Sequence, residues 1–377
     1  MSRRLLSILV AAALAASALG AASTAPVHAA KGMEVGVQDD FSFVSELTLT
    51  RKKALKLASR LHATRIRVNL VWVAIVNKGH SKKRPKHPKY DFTSYDALYN
   101  AARARGIRLQ FAISGFAPKW ATGNHQVGCY KVRLGDFKNY VRAVVTHFRG
   151  HIDRYSVWNE PNYRSWNEPL KGNAKRYRKM YLAAWKIIHR HDPRARVLIG
   201  ETSPAGKKGT ATKPLKFLRG VAKGGKLKAD GYAHHVYDYR RSPHAPKTPD
   251  DNAAINNLDN LTKQLDKLGK QKKLTTRTGK PLDAYLTEYG YMASGPYKKP
   301  AAWRAKYLPQ AWQVALDNPR VREMMQYILA PPPKFSNEFD TSIVTKKGKP
   351  TKVFTALEDW TDKQAQAGNI ALPAHFR

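Results

Sequence analysis

From Met33 onward, short apolar runs rich in β-branched and aromatic residues alternate with longer amphipathic stretches, and the alternation repeats eight times. The strand-like runs are Met33 to Val37, Ile66 to Val71, Ile107 to Ile113, Asp153 to Trp158, Val197 to Gly200, Gly231 to Val236, Ala284 to Thr287 and Met324 to Leu329. A helical period appears in Arg51 to Leu61, Ser94 to Arg105, Asp136 to Phe148, Ala174 to His189, Pro214 to Val221, Asn252 to Leu268, Ala301 to Leu316 and Thr351 to Thr361. Several strands are nearly all apolar, as in a parallel sheet covered by helices, and each unit is long enough for a crossover. Eight such units in a chain of 377 residues predict an α/β fold, a single (β/α)8 TIM barrel over residues 31–377.

The first 30 residues read differently. Ser2-Arg3-Arg4 is followed by an apolar, alanine-rich run that reaches small residues at Ala29 and Ala30, the layout of a secretory signal peptide. The expectation is export to the extracellular side with residues 1–30 removed. No later window is apolar over the ~18 residues that a membrane span takes, so no stable membrane insertion is expected. Cys129 is the single cysteine, which excludes an intramolecular disulfide. The formal charge of +40, from 67 Lys and Arg against 27 Asp and Glu, draws anionic partners. Acidic polysaccharide or cell-wall polymer suits an exported chain better than nucleic acid, for which no motif is present. Glycine-rich nucleotide fingerprints and paired Cys or His spacings are lacking too, so neither a cofactor nor a metal is expected. Lysine-rich segments at Lys78 to Lys89, Gly206 to Lys216, Arg240 to Lys247 and Lys346 to Lys352 fall in loops after strands, which form the active face of such a barrel.

Two strand-like runs end on a carboxylate. Tyr155-Ser156-Val157-Trp158-Asn159-Glu160-Pro161-Asn162 sets Glu160 at the carboxyl end of the fourth strand, before a proline that stops it. Ala284-Tyr285-Leu286-Thr287-Glu288-Tyr289-Gly290 does the same for Glu288 on the seventh. Glycoside hydrolysis needs such a pair: one carboxylic acid protonates the leaving oxygen while the other carboxylate attacks or activates water.

Asn-Glu-Pro on strand four and Thr-Glu-x-Gly on strand seven resemble the signature of the clan A glycoside hydrolases, the superfamily of cellulases, mannanases and β-xylosidases. The resemblance covers the whole chain after the leader. It implies a retaining glycosidase acting by double displacement on a β-linked carbohydrate, with Glu160 as acid/base, Glu288 as nucleophile and Asn159 holding the 2-hydroxyl of the sugar. It further implies that Arg67 keeps the nucleophile ionised and that Tyr237, in His235-Val236-Tyr237, donates a hydrogen bond to it, with His234 a rival to His235. Strand eight departs from the pattern. Many clan members end it with a tryptophan, where this chain reads Gln326-Tyr327-Ile328-Leu329 and offers Tyr327 or Phe335.

A second Trp166-Asn167-Glu168-Pro169 follows a polar stretch instead of a buried strand, so Glu168 is not expected to be the acid. Glu201, at the end of strand five, reads as a structural ion pair. Sugar rings stack on aromatic faces; Trp72, Trp120, Trp158 and Trp166 lie in the right loops, with Trp120 the best placed. Two further readings use the same residues: a transglycosylase, and a non-catalytic secreted binder of anionic glycan or cell-wall polymer.

Overall fold

A computed structural model of the chain describes residues 32–247, 251–336 and 339–374. The signal-peptide reading of residues 1–30 lies outside the described residues. Eight parallel strands form a closed barrel in which each pairs with the next and the last with the first. They are β1 (Glu34–Gln38), β2 (Arg65–Val71), β3 (Arg108–Ser114), β4 (Arg154–Val157), β5 (Arg196–Thr202), β6 (Gly231–His235), β7 (Ala284–Tyr289) and β8 (Val321–Tyr327). The covering helices are α1 (Arg51–Arg60), α2 (Thr93–Arg103), α3 (Leu134–His147), α4 (Asn173–His191), α5 (Pro214–Ala222), α6 (Leu258–Lys270), α7 (Ala301–Leu316) and α8 (Lys352–Gln366). Every expected unit is present. α6, however, starts at Leu258 and not at Asn252, because asparagine side chains bond the backbone ahead of it. Asn257 accepts from the Ala254 N–H at 2.6 Å and donates to the Asn252 carbonyl at 3.0 Å, which favours a loop and a single 3-10 turn.

Alternation along the strands sorts the side chains into two interiors. Ile66, Val68 and Leu70 of β2, Phe111 and Ile113 of β3, and Tyr155 and Val157 of β4 belong to one apolar core between sheet and helices. Their neighbours point into the barrel, and there the chain places charge. Arg65 donates to Glu34 at 3.0 Å and Asp153 at 2.7 Å, and Arg154 lies 2.6 Å from both Glu34 and Glu323. The apolar cluster on this side is small, Leu198, Ala233 and Tyr285, with the Arg154 guanidinium 4.7 Å from the Tyr285 ring. Branched aliphatic side chains usually fill such a lumen; here its lower layer is ionic. Burial, assisted by Glu34, pushes the Glu323 carboxyl up to about 7 against the pull of Arg154 and Arg65.

The lumen is also tight. A Cβ at Gly231 would lie 2.2 Å from the Tyr285 ring, whereas one at Gly135 in α3 would meet open space. Gly231→Ala is expected to lower stability by about 1–3 kcal/mol in urea denaturation. Gly135→Ala is expected to leave it unchanged or raise it by up to about 1 kcal/mol.

Candidate active site

Past Val157 the chain turns sharply. Trp158 at φ 71° and Glu160 at φ 34° take the left-handed conformation that side-chain-bearing residues avoid, at a cost of about 1–3 kcal/mol each that the surroundings must offset. Two asparagines hold the turn. Asn162 donates to the carbonyls of Ser203 (3.2 Å) and Thr212 (3.0 Å) and accepts from the Ser203 N–H (2.9 Å), tying the loop after β4 to the loop after β5. Asn167 donates to the Pro161 carbonyl at 2.9 Å. The second Trp-Asn-Glu-Pro is therefore scaffolding, and its Glu168 accepts from Arg164 at 2.9 Å on the surface. Sequence reasoning passed over Asn162 and Asn167; their signal was a polar, uncharged side chain two and seven residues after Glu160.

Arg67 follows Arg65 by two residues on β2 and so faces the lumen as well, one step nearer the mouth. It donates to Glu288 Oε1 at 2.8 Å, to Glu201 Oε1 at 3.2 Å, to Asn159 Oδ1 at 3.1 Å and to Gln38. The Tyr237 hydroxyl donates to Glu288 Oε2 at 3.0 Å. His235 donates from Nδ1 to Glu160 Oε1 at 2.9 Å, and the same nitrogen lies 3.3 Å from Glu288 Oε2, while Nε2 meets Glu201 Oε2 at 3.1 Å. Those two oxygens of Glu160 and Glu288 are thus no farther apart than 2.9 and 3.3 Å laid end to end. Glu201 also accepts from Thr287 at 2.6 Å and is fully buried, the structural partner it was expected to be. His234 is directed elsewhere, to Thr202 and the Ala253 carbonyl, both at 2.7 Å.

A carboxylate at each nitrogen makes His235 an imidazolium. Burial alone would lower its pKa, but Glu288, Glu160 and Glu201 hold it up at about 10. Glu201 would be raised by burial, and Arg67 with His235 brings it down to about 2. Glu288 ends on the other side of the balance. Burial lifts its carboxyl above the ordinary value; His235 and then Arg67 offset part of the rise, to which Glu160 and Glu201 add. Arg67 therefore acts in the direction that the resemblance implies, but burial outweighs it and His235 is the larger counterweight.

Trp120 is not a sugar platform. It is 1% exposed, packed edge-on against Trp72 at 5.7 Å, because the 3-10 turn Lys119–Ala121 tucks its ring under the loop. Trp72 and Trp158 are buried as well. The aromatic surface at the rim is Phe116, 38% exposed and stacked on Trp166 at 4.8 Å. Other rim aromatics come from the loops after β6, β7 and β8, where Tyr239 stacks with Tyr297 and packs against Phe339. Tyr327 ends β8 edge-on to Tyr237 at 6.0 Å, whereas Phe335 is 76% exposed. Among the described residues no group of three His, Cys, Asp or Glu is arranged to hold a metal ion, and no described helix is long and apolar enough to cross a membrane.

No family model matches the chain, and no curated protein matches it in sequence. Solved structures match it in fold. A family 39 glycoside hydrolase from the gut symbiont Bacteroides cellulosilyticus WH2 superposes with a TM-score of 0.65 at 16% identity, over 88% of this chain and 64% of that one. The barrel is one that glycoside hydrolases use. A monomeric β-xylosidase from Caulobacter crescentus CB15 gives 0.59 at 17% identity, over 88% and 69% of the two chains. Native xylanase 10B from Thermotoga maritima gives 0.58 at 16%, over 89% and 97%. This chain spans just under two-thirds of the length of the first of these enzymes.

Removing the shared cation should be costly. Arg67→Met is expected to destabilise the fold by about 3–5 kcal/mol in urea denaturation, since Glu201 and Glu288 lose their common partner. The folded pKa of His235, about 10, lies above the ordinary 6.5. Its contribution to stability is therefore complete below pH 6.5 and lost as pH rises toward 10. Melting temperatures should decline across that window and decline less in His235→Gln.

Proposed function

We propose that the chain is a retaining glycoside hydrolase that cleaves O-glycosidic bonds of a β-linked oligo- or polysaccharide. The observation that carries this reading is one imidazole nitrogen within 2.9 Å of Glu160 and 3.3 Å of Glu288. Inverting pairs stand about 6.5–9.5 Å apart to admit a water, and retaining pairs about 5–5.5 Å, so the spacing favours direct attack. Glu288 attacks the anomeric carbon while Glu160 passes its proton to the departing oxygen; the glycosidic bond breaks and a glycosyl ester forms. Glu160, now a carboxylate, takes a proton from water, which attacks the ester and frees Glu288. The negative charge thus moves from Glu288 to Glu160 and back, and His235 touches both, so its cation serves each carboxylate in turn. Arg67 occupies Asn159 Oδ1 and leaves the amide nitrogen to donate to the sugar's 2-hydroxyl. The leader-like first 30 residues support export, with residues 31–377 as the catalytic domain.

The test is the stereochemistry of the first product, followed by proton NMR on aryl β-glycosides. Retention of the β-anomer is expected, and initial release of the α-anomer would overturn the reading. Glu160→Ala should lose about 10²–10⁴-fold in kcat on polysaccharide, with a smaller loss on substrates whose leaving group needs no proton. Glu288→Ala should show no turnover. Glycan binding without turnover in the wild-type protein would instead identify a non-catalytic binder.

A further inference from the structure

From Pro169 to Ala229 the chain carries 17 Lys and Arg residues and two acids, Asp192 and Glu201. Both acids are turned inward: Asp192 accepts from the Gly150 N–H, and Glu201 sits under Arg67 and His235. This stretch therefore brings no carboxylate to the surface. Its longest element is α4, whose inner face, Tyr177, Tyr181, Ala184 and Ile188, belongs to the core. On the outer face Lys175, Lys179, Lys186 and Arg190 are exposed. Their spacing confines them to a stripe about 60° wide at 100° per residue and about 22 Å long.

The stripe is uncompensated. Among the described residues none of its four cations is ion-paired, and nearby acids are engaged elsewhere: Asp136 with Arg84, Glu168 with Arg164, Asp251 with Arg219. Arg176 and Arg178 are spent on backbone carbonyls of Asn167, Pro169 and Val221. Like charges four residues apart repel, and α4 has no acid in its first turn to meet the helix dipole. A merely solvated face would mix signs, as α8 does with Glu358, Asp359, Asp362 and Lys363. The stripe is also dominated by lysine, a point charge without the bidentate fork of arginine. No exposed aromatic stands on it for a nucleobase to stack against, since Trp185 is covered by His189 at 4.0 Å and Arg277 at 5.7 Å. An insertable apolar face is lacking as well, because that face of α4 is in the core.

α4 begins beside the loop that carries Glu160, where Asn167 donates to the Asn173 carbonyl, and runs down the flank toward Arg194 and Arg196. We propose that this stripe binds an acidic polysaccharide through its carboxylates, holding the protein on the polymer by a surface separate from the Glu160–Glu288 pair. The carbohydrate reading above enters only in the choice of polymer; the surface rests on charge and placement alone.

The experiment compares two variants of equal charge change for binding to polygalacturonate at about 50 mM and about 200 mM salt. One is Lys175→Gln/Lys179→Gln/Lys186→Gln/Arg190→Gln. The control is Lys52→Gln/Lys56→Gln/Arg105→Gln/Lys363→Gln, on exposed positions of α1, just past the end of α2 and on α8, away from α4. The stripe variant should bind about tenfold more weakly and with a flatter salt dependence, while the control keeps wild-type affinity. Should the quadruple variant not fold, Lys175→Gln/Lys179→Gln and Lys186→Gln/Arg190→Gln are each expected to weaken binding about threefold. Equal losses in stripe and control would overturn the proposal, since the effect would then belong to net charge. Tighter binding of single-stranded DNA or phosphatidylserine vesicles than of polygalacturonate would overturn the assigned partner. Turnover of an aryl β-glycoside, measured in parallel, should be the same in both variants and wild type, so absence of hydrolysis would count against the catalytic reading and leave the binding result standing.

Discussion

Arg67 joins four parts of the barrel mouth at one point. Gln38 ends β1, Asn159 follows β4, Glu201 belongs to β5 and Glu288 to β7, and all four face one planar guanidinium. Arginine can serve so many acceptors without moving because its donors form a rigid fork. Burial of charge is tolerated only where opposite charges and hydrogen bonds are complete. Two cations, Arg67 and His235, face three carboxylates, so one proton balances the set. In the proposed double displacement, that proton passes out to a leaving group and returns from water.

The eight strand–helix units are legible in the sequence because buried parallel strands read as apolar runs with little ambiguity, and polar connections separate them. Glu160 and Glu288 stand out because each interrupts such a run just before a proline or a glycine. Arg67 and Tyr237 are legible only through the resemblance to the clan pattern. The choice of His235 over His234 is less legible, since adjacent residues on a strand face opposite ways and only the pairing with β7 decides which meets the carboxylates. Rim aromatics are still less legible. Phe116 reaches solvent and Trp120, in the Lys119–Ala121 turn, does not, a difference set by local backbone and not by the aromatic character that both share. The ionic lower lumen escapes for a related reason: Arg65 and Arg154 are visible inside apolar runs, while their partners lie on other strands.

Beside its surface ion pairs, charge in this protein has three settings. In the lumen it is paired and buried, and there it fixes the register of distant strands. At the mouth two cations meet three carboxylates. On the flank of α4 it is unpaired and faces solvent, where it adds nothing to the fold. Composition alone merges the three into a single positive number.

The amide of Asn162 has a mechanical consequence. By bonding the Ser203 and Thr212 backbone it makes the loops after β4 and β5 a single rigid body, with Glu160 riding on one edge. Insertions or sequence drift around Lys207 and Lys208 would therefore tilt Glu160 along with the loop. Among the described residues, Asn162 makes no such bond to the segments bearing Tyr297 and Phe339. Descendants of this barrel should accordingly diverge first on the side of β7 and β8, where the chain can change length without moving Glu160.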